Sequence, residues 1–376
     1  MTTSEATSAR LSPADAGLVH DPELEALGRL QRRQWLVFGA LVATLVGTLA
    51  VAVAVGSVSI PLGDTVRILL GGDGARASWE TIVEQVRVPR SFTALLAGAA
   101  LGVAGLQMQT IFRNPLADPF VLGINAGASA GVAIVVLLAG TSGTVFAAGL
   151  GWLGDLGIAA AATLGGALVG AIVLAVSMRV QSLVTVLLVG LMVGYVVASL
   201  VTLLLAVSDE IRVAQFVTWG FGSFRGVTWD ELRILAPAVG AGVLVAALTT
   251  KQLNAMLLGE SYASSMGLNL RWTRVVTIGS AALLAGVVTA FAGPVAFLGL
   301  AIPHLARAVF GSSDHRVLVP AVVVMGGIVA LIAELVSQLP GVDSVLPLNA
   351  VTALIGAPVV MAVLLRSRRG TQGFVR

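Results

Sequence analysis

Ala292-Gly-Pro-Val-Ala-Phe-Leu-Gly-Leu-Ala-Ile-Pro-His-Leu-Ala-Arg307 is the stretch that decides how this chain is folded. It closes a run without Asp, Glu, Lys or Arg, Val275–Ala306, that is longer than one membrane crossing requires. A helix needs about 20 apolar residues to cross the hydrocarbon core. Gly293-Pro294 interrupts the run near its middle and Pro303 sits near its end, and both are helix breakers. The pattern predicts one helix over about Arg271–Phe291 and a shorter one over about Phe297–Phe310.

Eight further runs free of ionisable carboxylates, lysine and arginine flank this one: Gln34–Gly63, Ser91–Phe112, Pro119–Gly154, Leu156–Met178, Val180–Ser208, Ile234–Thr250, Val317–Ala333 and Ser344–Leu365. Nine crossings would leave the chain ends on opposite sides of a membrane. Arg29, Arg32 and Arg33 precede the first run, however, and Arg366, Arg368 and Arg369 follow the last. The excess of basic residues on cytoplasmic segments places both clusters inside, which demands an even number. Splitting Val275–Ala306 gives ten. Of the 22 Lys and Arg residues, 15 then lie inside and 7 outside.

Composition agrees. The chain is 57% hydrophobic and 11% charged, with mean hydropathy +0.97, whereas soluble domains carry about 25% charge. A net charge of +3 spread between apolar runs forms no basic face, so nucleic acid is excluded as a partner. With no cysteine there are no disulfides, iron–sulfur clusters or thiolate metal sites. His20, His304 and His315 lack metal-ligand spacing, and no metal or other cofactor is expected. Lys251, the sole lysine, follows Thr250, so the chain has no phosphate loop for ATP.

Residues 1–30 are polar and carry Pro13 and Pro22, which reads as a disordered cytoplasmic tail rather than a signal peptide. Residues 31–370 form the membrane domain, and 371–376 a second cytoplasmic tail. Gly98-x-x-x-Gly102, Gly166-x-x-x-Gly170 and Gly190-x-x-x-Gly194 have the spacing that lets helix backbones approach closely in lipid.

Several segments invite a specific reading. Arg87-Val-Pro-Arg90 opens the second span on the outer side, with Pro89 in a first turn. Its arginines either snorkel to lipid phosphates or dock an acidic partner. Arg113-Asn-Pro-Leu-Ala-Asp-Pro119, with Asn114 and Pro115, is a rigid cytoplasmic turn. The cytoplasmic loop 251–274 contains two short helices joined at Gly259 and ended by Gly267. Leu257, Leu258, Tyr262 and Met266 form a stripe there that lies on the bilayer or fits a partner's groove. His304 beside Pro303 is expected to bond backbone carbonyls rather than to relay protons. Glu334, the one acidic residue placed within a span, faces a cavity, a partner residue or the solvated rim.

In order along the chain, these motifs resemble the iron–siderophore permease family, which also contains the vitamin B12 importer permease. The resemblance rests on Arg87-Val-Pro-Arg90, Gly105-Leu-Gln-Met-Gln109, Asn114-Pro-Leu-Ala117, Leu258-Gly-Glu260 with Ala263 and Met266-Gly267, Gly299–Arg307, Asp314-His-Arg316 and Thr352–Pro358. It implies an all-α, ten-helix subunit of type II importer architecture in the cell membrane. Such a subunit pairs with a second permease chain, cytoplasmic ATP-binding-cassette ATPases and an extracytoplasmic binding protein, the last expected to be a lipoprotein. It translocates cargo and catalyses no reaction itself. Carried over, Arg87 and Arg90 would dock the binding protein, and Leu257, Leu258, Gly259, Glu260, Tyr262, Ala263, Met266 and Gly267 would couple to the ATPase. Gln181, Ser182, Leu183, Val184 and Thr185 would form the cytoplasmic gate, and Gly293, Pro294, Pro303, His304 and Arg307 the late structural motif. The cargo expected is a ferric siderophore, with cobalamin and haem as alternatives.

Three departures stand out. Gln338 occupies a position where relatives carry a docking arginine, Val345-Leu-Pro-Leu-Asn349 replaces a Glu-Leu-Pro segment with its following glycine, and Ser182-Leu-Val-Thr185 is poorer in hydroxyls. Such losses suit one half of a heterodimer. An ion-coupled secondary transporter is the rival class, but it needs intramembrane carboxylates and only Glu334 is at hand.

Overall fold

A computed structural model describes residues 22–56, 58–138, 151–180, 182–338 and 346–371. Helices account for all of its regular structure among these residues. In chain order they are α1 (Pro22–Ala54), α2 (Leu62–Leu69), α3 (Ala77–Ile111), α4 (Ile124–Leu137), α5 (Gly151–Arg179), α6 (Leu183–Ala206) and α7 (Glu210–Gly220). They continue with α8 (Trp229–Leu248), α9 (Thr250–Leu257), α10 (Glu260–Ser265), α11 (Leu270–Ala292), α12 (Leu298–Phe310), α13 (His315–Ser337) and α14 (Leu348–Thr371). Seven of them (α1, α3, α5, α6, α8, α11 and α13) are long and apolar enough to cross a bilayer. The shorter apolar α4, α12 and α14 bring the bundle to the expected ten.

α3 is the axis of the bundle. Every residue from Ala97 to Ile111 is buried, because its alanines and glycines let neighbouring backbones come in on all sides. A Cβ on Gly98 would lie 2.0 Å from the Gly326 carbonyl oxygen of α13, and one on Gly105 would lie 1.8 Å from that of Gly299 in α12. Not every glycine pair does this. Gly166 and Gly170 have only ordinary contacts, the nearest at 3.4 Å and 3.7 Å, so α5 makes its close approach one position earlier, through Gly165 against Gly127 of α4. The α1 and α6 spans are mostly exposed and apolar, as lipid-facing or partner-facing helices must be.

The break at Gly293-Pro294 is built as the sequence demands. α12 has 13 residues, about 20 Å at 1.5 Å per residue, against a hydrocarbon core of about 30 Å. The connecting backbone therefore sits at membrane depth, where each polar group needs a protein partner. Ser223 N–H donates to the Ala292 carbonyl (2.8 Å), and Ala296 N–H donates to Asn349 Oδ1 (3.0 Å). Asn349 N–H donates in turn to Phe221 O (3.0 Å). Gly293 has φ 71°, and a Cβ there would meet the Trp219 carbonyl at 2.7 Å, so both conformation and space require glycine.

Several expectations change. α1 begins at Pro22, so 22–30 are helical rather than part of a disordered tail; Leu24, Leu27 and Leu30 recur at helical spacing behind a Pro start. Residues 1–21 and 372–376 lie outside the described residues. The first apolar run overshoots its helix, which ends at Ala54 and is followed after Pro61 by the short α2. The second span does not open at Arg87 but at Ala77, with a π-helical stretch at Ile82–Arg87. Pro89 cannot donate to a carbonyl one turn back, and in that turn the Glu84 carbonyl accepts from Trp229 Nε1 instead (2.9 Å).

Candidate functional site

Two polar clusters lie at opposite ends of α3. At the first, the outer end in the sequence-derived topology, Arg87 is 1% exposed. Its guanidinium donates to the carbonyls of Val53 (3.1 Å), Ala54 (2.6 Å) and Val58. The Val53 and Ala54 carbonyls are ones that the end of α1 leaves without helical donors, so Arg87 acts as a side-chain cap. Arg90, 5% exposed, forms an ion pair with Glu334 of α13, Nε to Oε1 at 2.9 Å. Gln338 Nε2 also donates to Glu334 Oε1, and exposed Arg225 lies within electrostatic reach of both Arg90 and Glu334. Both arginines expected to face an outside partner are thus turned inward in this chain, and Glu334 faces a partner residue rather than the solvated rim. Sequence spacing could not show this, because the acceptors lie 29 to 34 residues away or on another span.

The second cluster joins the loop 251–274 to the spans. α9 and α10 meet at Gly259, φ 110°, and α10 ends before Gly267, φ 83°. Leu258, Tyr262 and Met266 are exposed by 53–65%, and Leu257 by 37%. Ala263 packs inward and is fully buried. Glu260 is tied to Arg274 of α11 at 2.5 Å.

Behind this patch Asn254 Nδ2 donates to Asp314 Oδ1 (2.6 Å). That fixes its carbonyl oxygen toward His315, where it accepts from the backbone N–H (2.9 Å) and from Nδ1–H (2.7 Å). His315 Nε2 then lies 2.8 Å from Thr110 Oγ1 of α3. Burial opposes the charge of Asp314, but donation from Arg316 N–H and Asn254 outweighs it and holds the carboxyl below its usual range. Arg307 Nη1 donates to Gln109 Oε1 (2.7 Å), and Gln109 Nε2 to Leu300 O (3.3 Å). His304 Nε2 meets the Pro115 carbonyl at 2.9 Å, the structural role expected of it. Asn114 Oδ1 accepts from Leu116 N–H, closing the expected turn. Next to it, burial raises Asp118 to a pKa of about 6, against the hydrogen bond from Phe120 N–H.

Of the gate segment, Ser182 caps α6 by accepting from Thr185 N–H (3.3 Å), and Val184 is exposed. Gln181 lies outside the described residues. Between α4 and α6 a groove of about 500 Å³ is lined by Asn125, Ser129, Tyr195 and Thr202 among apolar neighbours. Among the described residues no group of His, Asp and Glu could hold a metal ion.

The sequence profile of the FecCD transport family matches residues 43–366. The chain belongs to the FecCD transport family. Vitamin B12 import system permease protein BtuC of Klebsiella pneumoniae subsp. pneumoniae is 35% identical over 345 residues, 92% of this chain and 97% of the relative. BtuC of Salmonella typhimurium is 35% identical over 298 residues, 79% of this chain and 88% of the relative. A solved inward-facing conformation assigned to the metal-chelate type of ABC transporter superposes with TM-score 0.76 at 27% identity, covering 88% of this chain and 99% of that one. This FecCD chain is therefore a multi-pass ABC importer permease with the ten-helix architecture read from its sequence. It belongs to a family of transport permeases.

Proposed function

We propose that this chain moves a metal chelate, a ferric siderophore in the first reading, from an extracytoplasmic binding protein into the cytoplasm of the cell it resides in. Both termini and the loop 251–274 are cytoplasmic in this reading. The observation that carries it is the exposed apolar patch of Leu257, Leu258, Tyr262 and Met266, backed by hydrogen bonds that run from Asn254 through His315 to Thr110. An amphipathic helix pair that cannot bury its own apolar face fits a groove, and here that groove belongs to an ATP-binding-cassette ATPase. Closure of the ATPase pulls on Asn254 and reaches α13 through its part-buried bonds to His315, and α3 through the buried contact of His315 with Thr110.

At the other face, Arg87 and Arg90 are the proposed seat for acidic residues of the binding protein; both are turned inward here, so docking requires Arg87 to release the carbonyls at the end of α1 and Arg90 to release Glu334. Since Arg90 is already engaged, docking exchanges Glu334 for a partner carboxylate, with exposed Arg225 as a first point of attraction. Residues 181–185 serve as the cytoplasmic gate, and the α4–α6 groove forms part of the passage. A second permease chain completes it, and the glutamine at 338 favours a non-identical one.

Cobalamin is the second reading, favoured by relatives that are 35% identical and named as vitamin B12 permeases. Reconstitution into liposomes with the cognate ATPase and binding protein tests the proposal. ATP-dependent uptake of a ferric siderophore supports the first reading, and uptake of cyanocobalamin alone the second. Uptake that persists without ATPase but collapses with a protonophore would overturn both.

A further inference from the structure

A cavity of about 350 Å³ opens between the end of α5 and the start of α11. Its wall carries three guanidinium groups, Arg179, Arg271 and Arg274, and a single carboxylate, Glu260. That carboxylate is already committed to Arg274 at 2.5 Å, so the wall keeps a surplus of positive charge. Ser177 lines the same cavity, is 3% exposed, and its hydroxyl has no hydrogen-bond partner among the described residues. Leu270 brings in the N-terminus of α11, where the helix dipole favours an anion.

The surroundings say which anion. Arg179 ends one membrane-crossing helix and Arg271 begins another, so both stand at headgroup level. Trp272, beside them, is 66% exposed, and tryptophan concentrates at the membrane–water boundary. Basic pockets between spans on the cytoplasmic side recognise phosphate-bearing headgroups.

We infer that the cavity formed by Ser177, Arg179, Arg271 and Arg274 binds the phosphodiester of an anionic phospholipid from the cytoplasmic leaflet. Guanidinium groups take phosphate oxygens in paired hydrogen bonds, and the Ser177 hydroxyl supplies a further donor. The surplus charge suits a lipid bearing two phosphates. Because Glu260 belongs to the proposed coupling helices, a bound headgroup also braces Arg274 and the end of the loop. The sidedness assumed here rests on the cytoplasmic placement of loop 251–274 made above.

The test uses the assembled transporter in nanodiscs of phosphatidylcholine doped with cardiolipin, with retained lipid read by native mass spectrometry. The wild-type chain is expected to keep cardiolipin, and R179A/R271A to bind it about thirtyfold more weakly, given what each basic residue contributes near a lipid surface. R179K/R271K, which keeps the charge and serves as a folded control, should bind between the two. Undiminished retention in R179A/R271A would overturn the inference, as would equal retention of phosphatidylcholine. Displacement of cardiolipin by millimolar inorganic phosphate would reassign the site to a soluble anion. Retention by the permease alone but not by the assembled transporter would reassign it to a protein contact. Retention is read without turnover. A chain that carries cargo yet keeps no lipid fails this inference alone, and one that keeps lipid yet moves no cargo fails the proposed function alone.

Discussion

Arg90 on α3 and Glu334 on α13 stand 2.9 Å apart with side chains 5% and 4% exposed, a charge pair almost wholly withdrawn from water. Removing one member of such a pair strands the other, at a cost of about 3–5 kcal/mol. Glu334→Ala should therefore lower the thermal midpoint of the purified permease sharply. R90M/E334L should recover most of that loss while still binding the binding protein poorly. Full binding by the double variant would remove Arg90 from the docking surface.

Asn254, His315 and Thr110 form a relay whose middle member touches both the loop and α3. His315→Phe keeps the bulk and deletes both ring hydrogen bonds. ATP hydrolysis by the assembled transporter should continue while cargo moved per ATP falls. Parallel loss of both activities would indicate a merely structural histidine.

L258E/M266E places two carboxylates on the exposed patch without touching buried Ala263. The permease should fold, with an unchanged melt in detergent, yet fail to retain the ATPase on size-exclusion chromatography. Retention of the ATPase would move its seat elsewhere.

Asp118 lies in the connection between α3 and α4, and burial raises its pKa from 3.8 to about 6. A carboxyl with a raised folded-state pKa stabilises the fold while protonated, and that contribution is lost as pH climbs through the folded value. The melting midpoint should fall as pH rises from about 3.8 to about 6. Asp118→Asn, whose Oδ1 can still accept from Phe120 N–H, should flatten that slope.

Gly98→Val would drive a side chain into the Gly326 carbonyl, 2.0 Å from the Cβ position, with backbone on both sides and no room to yield. Membrane expression should collapse. Gly166→Ala, with its nearest neighbour at 3.4 Å, should express and melt like the parent chain. Membrane-fraction yield compares the two directly.

The bundle itself was legible wherever local chemistry decides. Gly293-Pro294 marks its own break, uncharged runs mark spans, and Gly259 and Gly267 mark the ends of the loop helices. What the sequence hid were choices made across the fold. Arg87 reads as an outward charge until the carbonyls at the end of α1 are seen to need a donor. Asn349 reads as a departure from a family glycine until its amide oxygen is found holding Ala296 N–H beside the break. The short α2 and α7 escaped notice because their charged residues interrupt apolar runs. A cap at Asp209, accepting from Arg212 N–H, was the signal available for α7.

The glycine contacts carry one more consequence. Where backbone rests on backbone, as at Gly98–Gly326, Gly105–Gly299 and Gly127–Gly165, neither helix can slide without first lifting away. α3, α12 and α13 are thereby locked into one body, and α4 with α5 into another. The boundary between them is softer: Gly170 faces the Ala282 methyl at 3.7 Å and Gly286 faces the Ile124 side chain at 3.8 Å, both ordinary side-chain contacts. Any movement of one body against the other would meet least resistance along α11, where methyl groups can glide and carbonyls do not interlock.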